Sequence, residues 1–373
     1  MRVKVEAVGE STSLADRKRR AGQRLILGLP GPGLDHDTRQ LIREIRPFGF
    51  ILFARNVEEP AQVRELNREL TSLLPTSHPP LHTIDQEGGR VQRVRNGATL
   101  WPPARWLGNL DDPKITAQLA AGLSRELRAM GFHINWAPCA DVNSNPKNPV
   151  IGDRSFGDDA AKVTRHLLAW MKGATSEGIT SCVKHFPGHG DTHQDSHLTL
   201  PIVEKERPQL EAMELRPFRE AVAAGVPGVM SAHVVFPAYD EDAPATLSHR
   251  LLAELLRGEL GFKGVIFSDD MDMKAVADRF PIEQAAARAC AATVDVFLAC
   301  KELPRQLALY EALIRLEEED IRYERLGEDS ERRTHRLREQ ALLGLPPAPE
   351  LNVLNAPQDK ALVEWVRARA AEG

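Results

Sequence analysis

Cysteine is scarce in this chain: 373 residues hold four, Cys139, Cys182, Cys290 and Cys300, with no CxxC pair among them. That spacing excludes a disulfide or zinc framework and reads as buried thiols of a reducing compartment, the cytoplasm. Long apolar runs are missing as well. No stretch approaches the ~18 apolar residues of a membrane span, and the first twenty residues, MRVKVEAVGESTSLADRKRR, contain no run of signal-peptide length. Neither secretion nor membrane association is expected. There is no excess of positive charge: the net charge is −5, and the cluster Arg17–Arg20 is too short to provide the field that nucleic acid requires. Sequence repeats, low-complexity tracts and Gly-rich dinucleotide turns are lacking too.

What is present is 42% apolar and 27% charged residues, the balance of a soluble chain able to bury a large core. Eight short runs rich in Val, Ile, Phe and Leu recur: RLILGL (24–29), GFILFA (49–54), LHTID (81–85), HINWAP (133–138), ITSCVKH (179–185), GVMSAH (228–233), GVIFSD (264–269) and VDVFLA (294–299). Between them, segments such as 115–130, 160–178 and 209–225 carry apolar residues at three- and four-residue spacing, the pattern of crossover helices. Eight evenly distributed βα units predict an α/β fold, a single (β/α)₈ TIM-type barrel, over an open doubly wound sheet. The charged region 302–343 is expected to supply the last outer helix, ended by GLPPAPE (344–350). On this reading residues 1–20 form a loose N-terminal arm, 21–345 the barrel and 346–373 a C-terminal extension with a helix-like piece at 357–371.

The active site of a closed βα barrel is built at the carboxyl ends of its strands. Polarity accumulates after four of the runs: DQEGGRVQR (85–93), DVNSNPKNPVIGDRSFG (141–157), KHFPGHGDTHQDSH (184–197) and SDDMDM (268–273). In the third, four histidines (His185, His189, His193, His197) interleave with Asp191 and Asp195. Three readings are open for it. His and Asp suit a metal, but Pro187, Gly188 and Gly190 prevent a helix from presenting them together. A solvated polar loop suits His189 or His193 taken singly. Acid/base chemistry suits Asp195 and His197, whose spacing allows a carboxylate–imidazole pair. Gly188 and Gly190 are expected to loosen the backbone, so that Gly188–Ser196 moves more than the strands.

Asp269, ending the seventh run, should project into the barrel mouth, where a carboxylate can attack an anomeric carbon or stabilise charge on it. Its neighbour Asp270 should point elsewhere by strand alternation, and Asp272 should sit in the first turn of the next helix. Asp85 is placed to accept hydrogen bonds from sugar hydroxyls. Arg93, Arg154 and Lys184 bring donors to the same rim, which favours a polyhydroxylated or acylated ligand.

From about Ile26 to Cys300 the chain resembles glycoside hydrolase family 3, and within it the single-domain bacterial β-N-acetylglucosaminidases (β-hexosaminidases). The resemblance is carried by ILFARN, IDQEGGRVQR, WAPCADVNSNPKNPVIGDRSFG, KHFPGHGDTHQDSH, FPAYDEDAPATLS and GVIFSDDMDM. It implies Asp269 as nucleophile, His197 as general acid/base polarised by Asp195, and Asp85, Arg93, Arg154, Lys184 and His185 as ligands of a terminal N-acetylglucosamine. It also implies a muropeptide fragment as substrate, cell-wall recycling as the process, and no metal or other cofactor. Related chains often have Gly where Thr293 stands here, and the tail beyond 345 has no counterpart.

The expected mechanism is double displacement with retention, through a covalent sugar on Asp269. Alternatives are substrate-assisted catalysis oriented by Asp269 and Asp270, a metallohydrolase using His185, His189, His193 and Asp269, and a barrel that only binds sugar.

Overall fold

The structure, a computed structural model, describes residues 12–192 and 200–370. Each of the eight apolar runs forms a strand, β5 and β7 extending one residue past theirs: β1 (Leu25–Gly28), β2 (Gly49–Leu52), β3 (Leu81–Ile84), β4 (Ile134–Asn135), β5 (Thr180–Phe186), β6 (Gly228–Ser231), β7 (Val265–Asp270) and β8 (Val296–Ala299). All pair in parallel with their sequence neighbours, and β8 returns to β1 with Leu25 opposite Phe297, which closes the barrel. Strands covered on both faces read as near-continuous apolar runs, which is why they stood out in the sequence. The crossover helices carry their own start signals: Asp112 and Asp159 cap Pro113–Ala129 and Ala160–Ser176 by accepting from Lys114 N and Lys162 N.

Side chains two apart on a strand share a face, and this parity sorts the barrel interior into layers. Val265 and Phe267 of β7, Leu81 of β3, Cys182 of β5 and Val296 and Leu298 of β8 join Ile26, Ile51, Trp136 and Met230 in one apolar cluster. Trp136 meets Phe267 edge-on, with ring centroids 4.9 Å apart. Two residues further along, the same faces become Asp269, Lys184 and Cys300, and four residues past Leu81 the β3 face reaches Asp85. Interior packing and the polar mouth are therefore consecutive layers of one pattern.

Two segments differ from the sequence reading. The region 302–343 is two helices, Leu303–Glu319 and Ile321–Leu342, divided at Asp320, whose side chain caps the second by accepting from Arg322 N. The second is no outer helix: its Leu337 and Ala341 enter the interior cluster, and Arg338 lies 4.8 Å over the Phe48 ring. It plugs the end of the barrel opposite the mouth. The arm assigned to 1–20 contains a helix, Leu14–Gly22, tied down by the buried Arg20, whose Nε and terminal nitrogen lie 2.9 and 2.7 Å from Glu317 Oε2. A charge-rich stretch such as ADRKRR gives no local sign of a partner some 300 positions away.

Thr293, at the entry to β8, has φ +72°, a left-handed conformation that favours glycine. Its hydroxyl is held by Arg257 Nε at 3.0 Å.

Candidate active site

At the carboxyl ends of the strands lies a cavity of about 400 Å³. That is within the roughly 300–1,000 Å³ of small-molecule sites. Asp85, Arg93, Arg154, Lys184, His185 and Asp269, all singled out in the sequence, line it. Asp195 and His197 lie outside the described residues, as does His193.

Charges buried at a barrel mouth persist only if each is paired and hydrogen-bonded. Here the pairing is continuous. Lys184 Nζ sits 2.7 Å from Asp85 Oδ1 and 2.7 Å from Glu87 Oε1, while Arg93 reaches Asp85 Oδ2 at 3.1 Å. Arg154 grips Glu87 with both prongs, Nε to Oε2 at 2.9 Å and a terminal nitrogen to Oε1 at 2.8 Å. Burial alone would raise both carboxyl groups. Lys184 and Arg93 overcome it at Asp85, and Arg154 and Lys184 hold Glu87 well below the usual range. Burial likewise works against the Lys184 ammonium, and Asp85 and Glu87 more than restore it. The donors and acceptors are thus charged and oriented before any ligand arrives. Among the described residues, Arg93 Nε is a buried donor with no hydrogen-bond partner.

His185 is oriented from behind. Its Nδ1 lies 2.7 Å from Asp141 Oδ2, leaving Nε2 as acceptor towards an Arg154 nitrogen at 3.4 Å. Asp141 also takes the backbone N–H groups of His185 and His189 at 3.2 and 2.7 Å. Burial opposes its charge, but His185 above all, with the His189 ring and the Cys139 thiol, holds it well below the ordinary carboxylate range. His189 is a neighbour of a different kind: burial and His185 push it down to about 4, and its Nδ1 rests 3.0 Å from Thr192 Oγ1. The expectation that Gly188 and Gly190 loosen the backbone covers Gly188–Ser196, of which residues 193–196 lie outside the described residues. Within the described part both glycines permit close packing: a Cβ on Gly190 would stand 1.6 Å from Val142 O, and Gly188 has φ +137° with Glu214 against it.

Asp269 ends β7 in the same cavity, its Oδ1 accepting the N–H of Asp270 at 2.8 Å. Burial raises it, while His233, His185, that N–H and Lys184 together bring it below the ordinary value, so it stays ionised at neutral pH. Asp270 also borders the cavity, against the alternation rule, because the β7–β8 register shifts between Phe267 and Asp270. Its carboxyl is turned to backbone, with Oδ1 accepting from Cys300 N at 3.2 Å and Asp272 N at 3.1 Å. Burial and Asp272 push it up to about 6. Asp272 is not in the first turn of the next helix. It precedes Lys274–Ala277 and ties Lys301 N at 3.0 Å and Arg305 Nε at 2.6 Å to its carboxylate.

Three residues of the network went unselected in the sequence: Glu87, Asp141 and His233. Glu87 and Asp141 lie inside the polar clusters quoted above, and a carboxylate just past a strand end was the available signal. His233, two residues beyond β6, hydrogen-bonds Thr246 Oγ1 and the carbonyl of Asp270 at 2.9 and 3.0 Å. Among the described residues, the metal-ligating atoms that converge within 4.8 Å are those of Cys139, Asp141 and His185. That is a different set from the one the sequence offered, and hydrogen bonds already join its members.

The profile described as "Glycosyl hydrolase family 3 N terminal domain" matches residues 23–336. The beta-hexosaminidase of Nitrosomonas eutropha is 39% identical over 284 residues, 74% of this chain and 80% of that one. Beta-hexosaminidase A of Pseudoalteromonas piscicida is 39% identical over 285 residues, 71% of this chain, and the chain spans about half of its length, 48%. Among solved structures, NagZ from Neisseria gonorrhoeae in complex with N-trifluoroacetyl-D-glucosamine superposes with a TM-score of 0.77 at 31% identity, covering 93% of this chain and 98% of that one.

Proposed function

This chain belongs to glycosyl hydrolase family 3, and from that premise we propose that it is a retaining exo-β-N-acetylglucosaminidase with Asp269 as nucleophile. The observation that carries the reading is the ionised Asp269 carboxylate sharing one cavity with Asp85, Arg93, Arg154, Lys184 and His185. The names of the relatives, beta-hexosaminidase for two and a sugar complex for the third, support the same substrate class.

In the proposed reaction the sugar hydroxyls and acetamido group are held by the Asp85–Lys184–Glu87–Arg154 network and by Arg93 and His185. Asp269 attacks the anomeric carbon, the glycosidic bond breaks, and His197 gives its proton to the leaving oxygen. Water then attacks the glycosyl-enzyme, its proton passes to His197, and Asp269 is released. The roles of His197 and Asp195 rest on the sequence resemblance. The proposed substrate is a muropeptide fragment with a terminal β-1,4-linked N-acetylglucosamine, processed in the cytoplasm during peptidoglycan recycling. Residues 21–345 are taken as the catalytic barrel.

Purified protein should hydrolyse a chromogenic β-N-acetylglucosaminide with no added metal, at a rate unchanged by EDTA. A fluorinated substrate that slows deglycosylation should leave a sugar covalently bound to the peptide containing Asp269. No turnover would overturn the reading, loss to the chelator would point to the metallohydrolase, and turnover without an adduct would point to substrate assistance.

A further inference from the structure

The C-terminal extension takes no part in the proposed reaction. Its residues cross the barrel's outer helices and are anchored at intervals. The Pro346 carbonyl accepts from Arg128 at 2.6 Å, the Asn355 N–H donates to Glu126 Oε1 at 2.8 Å, and Asp359 takes Arg125 on both oxygens at 3.1 and 3.0 Å. The helix Pro357–Ala370 then packs on helices Ala104–Leu110 and Pro113–Ala129. All three anchoring residues belong to the helix Pro113–Ala129, and one of them has a second duty.

Glu126 is 1% exposed and faces donors from two distant stretches of chain. Besides Asn355, its Oε1 accepts from the Thr99 hydroxyl at 2.7 Å, both oxygens take the Thr99 N–H at 3.3 and 3.2 Å, and its Oε2 takes the Trp101 indole N–H at 3.2 Å. Thr99 and Trp101 in turn hold Gln92: its amide donates to Thr99 O at 2.8 Å and its Oε1 accepts from Trp101 N at 3.0 Å. Gln92 is the residue before Arg93. The same hairpin (Gln86–Gly88 with Val91–Gln92) is closed by Gln86, whose Oε1 accepts from Arg93 N at 2.8 Å. Tail and loop also meet over Gly122, where a Cβ would stand 2.7 Å from the Trp101 ring and 2.8 Å from Asp359 Oδ1.

We propose that residues 346–370 are a strap that positions the sugar-binding hairpin, with Glu126 as the positioning residue that passes its hold to Arg93. Neither the strap nor Glu126 touches the cavity. Their effect is to limit the places Arg93 can take, so that less freedom is lost when a ligand binds. The path is hydrogen-bonded at each step through Glu126, Thr99, Trp101 and Gln92, all at least 96% buried, so little water is available to replace a broken link. The functional half of the inference rests on Arg93 being a ligand of the sugar, as proposed above.

The test uses Glu126→Gln, Gly122→Ala and Asp359→Asn in the full chain, each alone and combined with Arg93→Ala. The single changes should lower kcat/KM for the chromogenic substrate by roughly five- to twentyfold, mainly through KM. On the Arg93→Ala background they should lower it no further, since the side chain they position is gone. Losses that multiply with that of Arg93→Ala, or a lower melting temperature with unchanged KM, would show ordinary structural support and overturn the proposal. Hydrogen exchange without substrate tests the strap independently of any enzymatic reading. Amides of 86–101 should exchange faster in the three variants while those of β7 stay as in the wild type. Wild-type exchange at 86–101, or a uniform increase everywhere, would overturn it whatever the chromogenic assay shows. If Glu126→Gln fails to fold, the milder Asp359→Asn and Gly122→Ala decide.

Discussion

Glu87 and Arg154 form a two-pronged ion pair, at 2.9 and 2.8 Å, between the loop after β3 and the 3₁₀ turn Gly152–Arg154 that follows β4. Both side chains are largely buried, and Glu87 also holds Lys184. Neither loop alone could bury its charge. Removing one member of such a pair strands the other, at a cost of roughly 3–5 kcal/mol. Glu87→Ala should therefore lower the unfolding free energy by about that amount in urea titrations and depress kcat/KM. Arg154→Lys keeps the charge but loses the second prong, so most of the stability should remain while sugar affinity falls. Wild-type stability of Glu87→Ala would remove this pair from the structural account of the mouth.

Asp269→Asn should abolish turnover by about 10⁴-fold or more while leaving the circular dichroism spectrum and N-acetylglucosamine binding nearly intact, because the nucleophile is lost without a change in volume. Turnover within a few-fold of wild type would move the nucleophile elsewhere.

Stability should fall as the pH drops below neutral, and the sign follows from two histidines. Burial holds His133 and His189 down from 6.5 to about 4, so between those values the unfolded chain takes up protons that the folded one refuses. Their contribution is complete above pH 6.5 and is lost on the way down to 4. Asp270, pushed up to about 6, acts in the opposite direction, contributing below the ordinary carboxylate value and losing that contribution as the pH rises through 6. Asp85, Glu87 and Asp141, all lowered, extend the loss below pH 4. Denaturant midpoints at pH 7, 6 and 5 should decline in order, and His133→Gln should flatten the decline. An equal midpoint at all three would contradict the burial of both rings as neutral groups.

Thr293 tests strain against bonding. A left-handed β-branched residue costs on the order of 1–3 kcal/mol. Glycine would relieve that but gain freedom in the unfolded chain and lose the Arg257 contact. Thr293→Gly is expected within about 1 kcal/mol of wild type, because these terms are of similar size and opposite sign. Thr293→Val keeps the backbone and loses only the bond, at roughly 1–2 kcal/mol. A strongly stabilised glycine variant would mean that the hydroxyl contributes nothing.

The sequence by itself determined the eight strands, the helical crossovers and the parity that carries Asp85, Lys184 and Asp269 to the mouth. These follow from periodicity over a few residues, and a barrel whose strands are covered on both faces leaves that periodicity plain. It also marked the polar rim, since chemistry gathers past strand ends. Only the tertiary structure decided who pairs with whom there. Glu87 meets Arg154 and Asp141 meets His185 because the packing of neighbouring strands and their loops brings these side chains within 3 Å of each other, and no local pattern encodes such a distance. The same holds for Ile321–Leu342, whose charged sequence hides the two residues that plug the barrel, and for Asn355, which reaches Glu126 from 229 positions away. Propensity and periodicity act along the chain, whereas a buried charge is stabilised by whatever partner the packed layers deliver to it.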